Sequence, residues 1–186
     1  ALLMNLGGEP APPARPDAAI AVNPPVDLGA CSDQIHSGLS RLYELRFIRR
    51  CRAAIQERVE DGLIADAYPT SALMSLRDFD EAYTAPAGGF RNAEDYYGRC
   101  SARHVLSRIQ VPTVLLMAKD DPFIPWRHAV DAKPASAVHL HLEDHGGHMG
   151  YLSRDLPGHR WLPYAVDHYL RELLPPLEAG RPREER

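Results

Sequence analysis

An α/β architecture built on a parallel sheet is the fold class this sequence predicts, and three observations carry it. Three short runs, "AAIAV" (18–22), "TVLLMA" (113–118) and "AVHLHL" (137–142), have strand length and the apolar character of strands buried on both faces. Segments with helical spacing lie between or after them. Each run ends in a polar or proline-rich loop, and in a parallel sheet such loops collect at the carboxyl ends of the strands, where α/β proteins build their sites.

The elements follow in chain order. "ALLMNLGGEP" begins without an initiator methionine, directly on an apolar helical run that stops at Gly7-Gly8, so the chain reads as starting inside a helix. The strand at 18–22 comes next. About ninety residues without a convincing strand then form a helical lobe: "CSDQIHSGLSRLYELRFIRRCRAAIQERVEDG" spaces Ile35, Leu39, Leu42, Leu45 and Ile48 along one helical stripe, and shorter helical pieces run through "NAEDYYGRCSARHVLSRI". After the third strand, Trp161, Ala165, Tyr169 and Leu173 recur every four residues, an amphipathic closing helix that tolerates Pro163 in its first turn. The tail "PPLEAGRPREER" is too polar and proline-rich to pack and is expected to be solvated and disordered. The expected organisation is therefore a helix and one strand in 1–26, an inserted helical lobe with its return to the core in 27–110, a core with two functional loops in 111–174, and the tail in 175–186.

Composition removes several function classes. The chain has 186 residues, 45% hydrophobic and 25% charged, enough for one ordinary domain with a core and a small second lobe. A net charge of −4 with interspersed signs offers no field for nucleic acid. No run of about 18 apolar residues could span a bilayer. Three cysteines, Cys31, Cys51 and Cys100, lack any C-x-x-C and are odd in number, which argues against a disulfide framework and fits a reducing cytoplasm. No signal peptide is visible, and no motif calls for a cofactor.

Chemistry is concentrated in the loops after the second and third strands. "KDDPFIP" sets Asp120 and Asp121 before a proline turn, and "EDHGGHMG" sets His145 and His148 around two glycines. An acid at one strand end and a histidine at the next are the parts of an acid–base relay, in which the carboxylate fixes the imidazole tautomer and stabilises the imidazolium. The interval 148 − 121 = 27 leaves room for one helix and one strand. Either aspartate could equally be a turn former before Pro122, and either histidine a solvated loop residue.

Taken together, "NPPVDL", "YYGRCSA", "AKDDPF" and "HGGHMGYL", in this order and spacing, resemble the YheT-like branch of the α/β-hydrolase fold, the bacterial relatives of embryogenesis-associated esterases. The resemblance covers Ala1 to about Leu174. It implies the C-terminal part of an α/β-hydrolase sheet, its last three parallel strands with flanking helices, and an inserted helical cap over 27–110. It also implies a Ser-Asp-His triad whose acid falls on Asp121 and whose base falls on His148, with Asp120 the weaker acid and His145 a residue that orders the loop. The implied activity is carboxylic ester hydrolysis through an acyl-enzyme, with a small acyl ester as the partner molecule and an apolar acyl pocket under a cap rich in Leu, Ile, Tyr and Phe. The chain has no G-x-S-x-G, so the nucleophile and the oxyanion donors beside it are expected upstream of Ala1, and the 186 residues alone are expected to be inactive.

Two other function classes stay open on the sequence. His139 and His141 share a strand face and, with Asp144 and His145, could form a zinc site for a metal-assisted hydrolase. A non-catalytic remnant or binding module is the third reading. The cysteines lack a neighbouring base and read as packing residues, while Arg49, Arg50 and Arg52 read as one solvated helix face.

Overall fold

The computed structural model describes residues 1–8, 15–65 and 68–174, so the expectation for the tail at 175–186 lies outside the described residues. Helix α1 (Leu2–Gly7) leads to strand β1 (Ala19–Val22). A helical stretch follows, comprising α2 (Leu28–His36), α3 (Ser40–Glu60), α4 (Leu76–Phe79), a π-helical turn (Asp80–Thr84), α5 (Ala85–Ala87) and α6 (Ala93–Cys100). Two 3₁₀ turns at Ala102–His104 and Leu106–Arg108 bring the chain back to β2 (Thr113–Ala118); α7 (Arg127–Asp131), β3 (Val138–Glu143) and α8 (Leu162–Leu173) complete it. The strands lie parallel in the order β1-β2-β3, with Ala19 opposite Thr113 and Thr113 opposite Val138.

The alternation of β2 explains how a three-stranded sheet supports two layers. Leu115 and Met117 point to one face and pack with Leu3, Leu6, Leu106 and Ile109. Val114, Leu116 and Ala118 point to the other, where Tyr151, Ala165 and Tyr169 cover them. Every residue of β2 is buried, as its continuous apolar run implies. β1 and β3 are edge strands among the described residues, and here the expectation of two buried faces fails: His139 is exposed and His141 half-buried, because α8 covers only part of that face.

Helices α2 and α3 correct a second expectation. The stripe Ile35, Leu39, Leu42, Leu45 and Ile48 is not one helical face. The chain breaks at Ser37 and Gly38, the latter at φ +52, and α3 restarts out of phase. Leu39 and Leu42 are exposed at 88% and 70%, and the buried stripe of α3 is Glu44, Ile48 and Ile55, of which the two isoleucines pack with Phe79. Arg49 and Arg50 are solvated, but Arg52 is half-buried and donates from Nε to Thr70 at 3.2 Å.

Glu44 is the unexpected member of that stripe. Its side chain has no exposed surface, yet its carboxylate accepts from His36 Nδ1 at 3.0 Å, from the Arg41 guanidinium and from the Leu76 amide. One buried acid thereby joins α2, α3 and the start of α4. Removing one partner of such a buried charge network leaves the others desolvated and unpaired. Glu44→Ala is expected to lower unfolding free energy by about 3 kcal/mol, against a change within about 0.5 kcal/mol for exposed Glu57→Ala, with both read from urea denaturation midpoints.

Candidate active site

The loops after β2 and β3 meet. Asp121 turns inward, its side chain entirely removed from solvent, and its Oδ1 accepts from the amides of Phe123 at 2.8 Å and Ile124 at 3.1 Å. Its Oδ2 accepts from His148 Nδ1 at 3.0 Å. A carboxylate held by two backbone amides cannot swing, so the imidazole it binds is fixed in orientation and in the tautomer that carries the proton on Nδ1. Nε2 of His148 has no hydrogen-bond partner among the described residues. The ring is 39% exposed and rests edge-on against Phe123, with centroids 5.2 Å apart.

Asp120, one residue earlier, points outward and does different work. Its Oδ1 accepts from the amides of Gly146 and Gly147, both at 2.8 Å, and Oδ2 lies 3.5 Å from Nδ1 of His145, whose side chain is 92% exposed. Asp120 therefore clamps the turn that carries His148. The glycines are required there: Gly147 sits at φ +56, and a Cβ on Gly146 would lie 2.5 Å from the Tyr151 ring.

Asn23 is the residue that sequence reasoning passed over. It follows β1 directly, is buried, and adopts φ +42, a left-handed conformation that asparagine tolerates better than most residues. Its Oδ1 accepts from the Ala118 amide at 2.9 Å and from the Tyr151 hydroxyl at 2.9 Å; its Nδ2 donates to the Gly147 carbonyl at 3.1 Å and to the His148 carbonyl. One amide side chain thus binds the end of β2 and the histidine loop together. The available signal was an asparagine between a strand and Pro24-Pro25, an Asn-Pro pair of the kind that starts a turn.

The remaining candidates do not join this arrangement. His141 bonds the Tyr169 hydroxyl and lies 2.7 Å from Glu143, while His139 and His141 ring centroids are 6.4 Å apart. Asp144 pairs with Lys119 at 2.6 Å. Among the described residues no group of three or more His, Cys, Asp and Glu side chains converges on a point where a metal could bind. The cysteines are free and half-buried. Burial, together with the charges of Asp27 and Asp121, pushes the Cys31 thiol up to about 12, so it is held in the unreactive protonated form. His148, Cys31, Phe47, Phe79, Tyr97 and Phe123 help to line a cavity of about 530 Å³ between the strand ends and the helical stretch.

Similarity to known proteins adds to this geometry. The chain is 34% identical to the Escherichia coli (strain K12) protein YheT, an esterase by name, over 171 residues, which is 85% of this chain and 48% of that one. It is 28% identical to a monoacylglycerol lipase of Saccharomyces cerevisiae over 91% of this chain and 40% of the relative. It is also 28% identical to the embryogenesis-associated protein EMB8 of Picea glauca, over 92% and 40%. The chain belongs to the α/β-hydrolase family. Its three parallel strands with flanking helices have the form of the C-terminal part of an α/β-hydrolase, and the chain spans about half the length, or less, of the relatives it matches. It matches no family model and no solved structure. Among the described residues, no helix is long and apolar enough to cross a membrane.

Two outcomes test the α/β-hydrolase loop geometry. Asn23→Ala strands buried donors and acceptors on two loops and forces alanine into positive φ; a loss of about 2–3 kcal/mol is expected, together with faster amide exchange across 146–151, while Tyr151→Phe costs about 1 kcal/mol. Asp120 is opposed by desolvation, but the Gly147 and Gly146 amides and His145 outweigh it and hold its pKa below the ordinary 3.8. Its contribution is thus complete above about pH 4 and is lost as pH falls below that value through the depressed folded-state pKa. Asp120→Asn should lower stability above pH 5 and flatten the acid limb below pH 4, so that the variant and the parent converge as pH falls, as measured by thermal melts at stepped pH.

Proposed function

We propose that this chain supplies the acid and the base of a serine-dependent carboxylic ester hydrolase. The observation that carries the proposal is the hydrogen bond from His148 Nδ1 to buried Asp121 at 3.0 Å, with the opposite ring nitrogen unbonded on the edge of a largely apolar cavity. In this reading Nε2 of His148 takes the proton from a serine hydroxyl as it attacks the acyl carbonyl, then returns it to the departing alcohol. Asp121 holds the ring and stabilises the imidazolium in both halves of the cycle. A water activated by the same nitrogen releases the acid. Asp120 and His145 act on the loop and not on the substrate.

The serine and its oxyanion donors lie outside these 186 residues in this proposal. Relatives roughly twice as long, and the lack of any G-x-S-x-G here, support that placement. Residues 27–110 serve as a cap, and Phe47, Phe79, Phe123 and Ile35 offer the acyl chain an apolar wall. The relatives named as an esterase and a lipase support an ester as the substrate class.

The test is hydrolysis of p-nitrophenyl esters by a polypeptide extended upstream through a G-x-S-x-G-G-N elbow. Activity is expected there, and not in the 186 residues alone. In the active form, His148→Ala and Asp121→Asn are each expected to reduce kcat by about 10⁴-fold, whereas Asp120→Asn and His145→Ala change it less than about tenfold. Reversal of that order, or robust hydrolysis by the 186 residues that His148→Ala abolishes, would displace this assignment.

A further inference from the structure

A second polar group lies on the same cavity and has no part in the acid–base relay. Asp80 is only 8% exposed, and no cationic side chain lies within ion-pair distance of it among the described residues. Its Oδ2 accepts from the Tyr97 hydroxyl at 2.7 Å, and Tyr97 Oη lies 3.2 Å from the buried Ser32 Oγ. Asp80 opens a five-residue π-helical turn that ends at Thr84, a distortion that widens the helix and recurs at functional positions. Asp80, Tyr97, Ser32 and Thr84 all line the cavity, and otherwise apolar neighbours such as Ile35 and Phe79 line it too.

Burying a carboxylate without a counter-ion is costly, so its retention here needs an acceptor's purpose. A carboxylate accepts at about four lone-pair positions, and the Tyr97 hydroxyl takes one. Acceptor capacity is left on a carboxylate that lines the cavity. A cationic ligand is a poor match, because Arg77 already lies over the Tyr97 ring, 5.1 Å from its centroid, where it pairs with Asp33 and Glu94 and supplies positive potential to Asp80. Burial raises the pKa of Asp80 against the opposing Thr84 and Tyr97 hydrogen bonds, which further favours a neutral donor over a charge pair.

We propose that Asp80, with Tyr97 and Ser32 behind it, is a recognition site for a hydroxyl group on an otherwise apolar ligand bound in this cavity. The inference deepens the ester-hydrolase reading by making the substrate a hydroxylated ester, with the hydroxyl on either the acyl chain or the alcohol. Its test needs no turnover, so it can fail while the relay stands, or stand if the relay fails.

The test is calorimetric or ligand-observed NMR titration of the 186-residue protein with three non-hydrolysable ethers. Octyl methyl ether has no hydroxyl, 8-methoxyoctan-1-ol carries one at the chain end, and 1-O-octylglycerol carries two on the head group. At least one hydroxylated ether is expected to bind about tenfold more tightly than octyl methyl ether, the scale of a hydrogen bond to a charged acceptor, and the tighter one identifies the side of the ester that bears the hydroxyl. Asp80→Leu should reduce that preference below twofold while octyl methyl ether binds as well as before or better, a gain that misfolding cannot produce; Tyr97→Phe should weaken the preference partly. Equal affinity for the three ethers, no binding of any of them, or a preference that survives Asp80→Leu would overturn the proposal. Tighter binding of octyltrimethylammonium than of either hydroxylated ether would overturn it in favour of a cation site.

Discussion

Where β1 ends, the sheet meets a geometric difficulty that Asn23 resolves. The backbone must leave the ladder and turn into Pro24-Pro25, yet the next amide of β2, that of Ala118, is buried and still needs an acceptor. The Asn23 amide donates the last regular backbone bond of this ladder to the Leu116 carbonyl at 2.8 Å, and its side-chain oxygen then accepts the following rung, from the Ala118 amide, in place of backbone. The same side chain reaches the carbonyls of Gly147 and His148 from its nitrogen. The turn of β1, the end of β2 and the loop beyond β3 are consequently one hydrogen-bonded unit. Packing behind it is equally shared: Tyr151, which donates to Asn23, stacks on Trp161 at the start of α8, with 5.7 Å between centroids.

That unit explains how two adjacent aspartates acquire unrelated environments. The turn after β2 sends the two side chains to different sides, so the pinned histidine loop receives Asp121 beneath it and Asp120 along its rim. Asp121, beneath, is desolvated, and two amides and His148 offset that cost. Asp120, on the rim, remains 43% exposed and satisfies the loop's own amides. The first arrangement fixes a ring; the second fixes a turn.

The helical stretch is built by different rules. Its core of Ile48, Ile55 and Phe79 is separate from the two cores that flank the sheet, and buried polar groups join its parts: Glu44 across α2, α3 and α4, and Asp27, which caps α2 through the Ala30 amide at 3.1 Å and pairs with Arg103 at 2.7 Å. Such contacts are directional, and they fix the relative placement of short helices whose apolar area is small. Between this layer and the strand ends the cavity is left open, with the imidazole of His148 and the carboxylate of Asp80 on the same lining.

Patterns that depend on nearest neighbours along the chain were legible without coordinates. The apolar run of β2 located a buried strand to the residue, the four-residue recurrence of Trp161, Ala165, Tyr169 and Leu173 located α8, and residue types in "KDDPF" and "HGGH" drew attention to two loops that meet through the bond between His148 and Asp121. Hydrophobic spacing could not see Gly38 reset the phase of α3, because a stripe in sequence is a stripe in space only while the helix is unbroken. Nor could it separate Asp120 from Asp121, disperse His139, His141 and His145, or find Asn23 and Asp80. Those outcomes depend on which side chain meets which partner across 17 to 128 residues of chain, and on whether solvent reaches it, quantities that arise only when the strands lie side by side and the loops close over their ends.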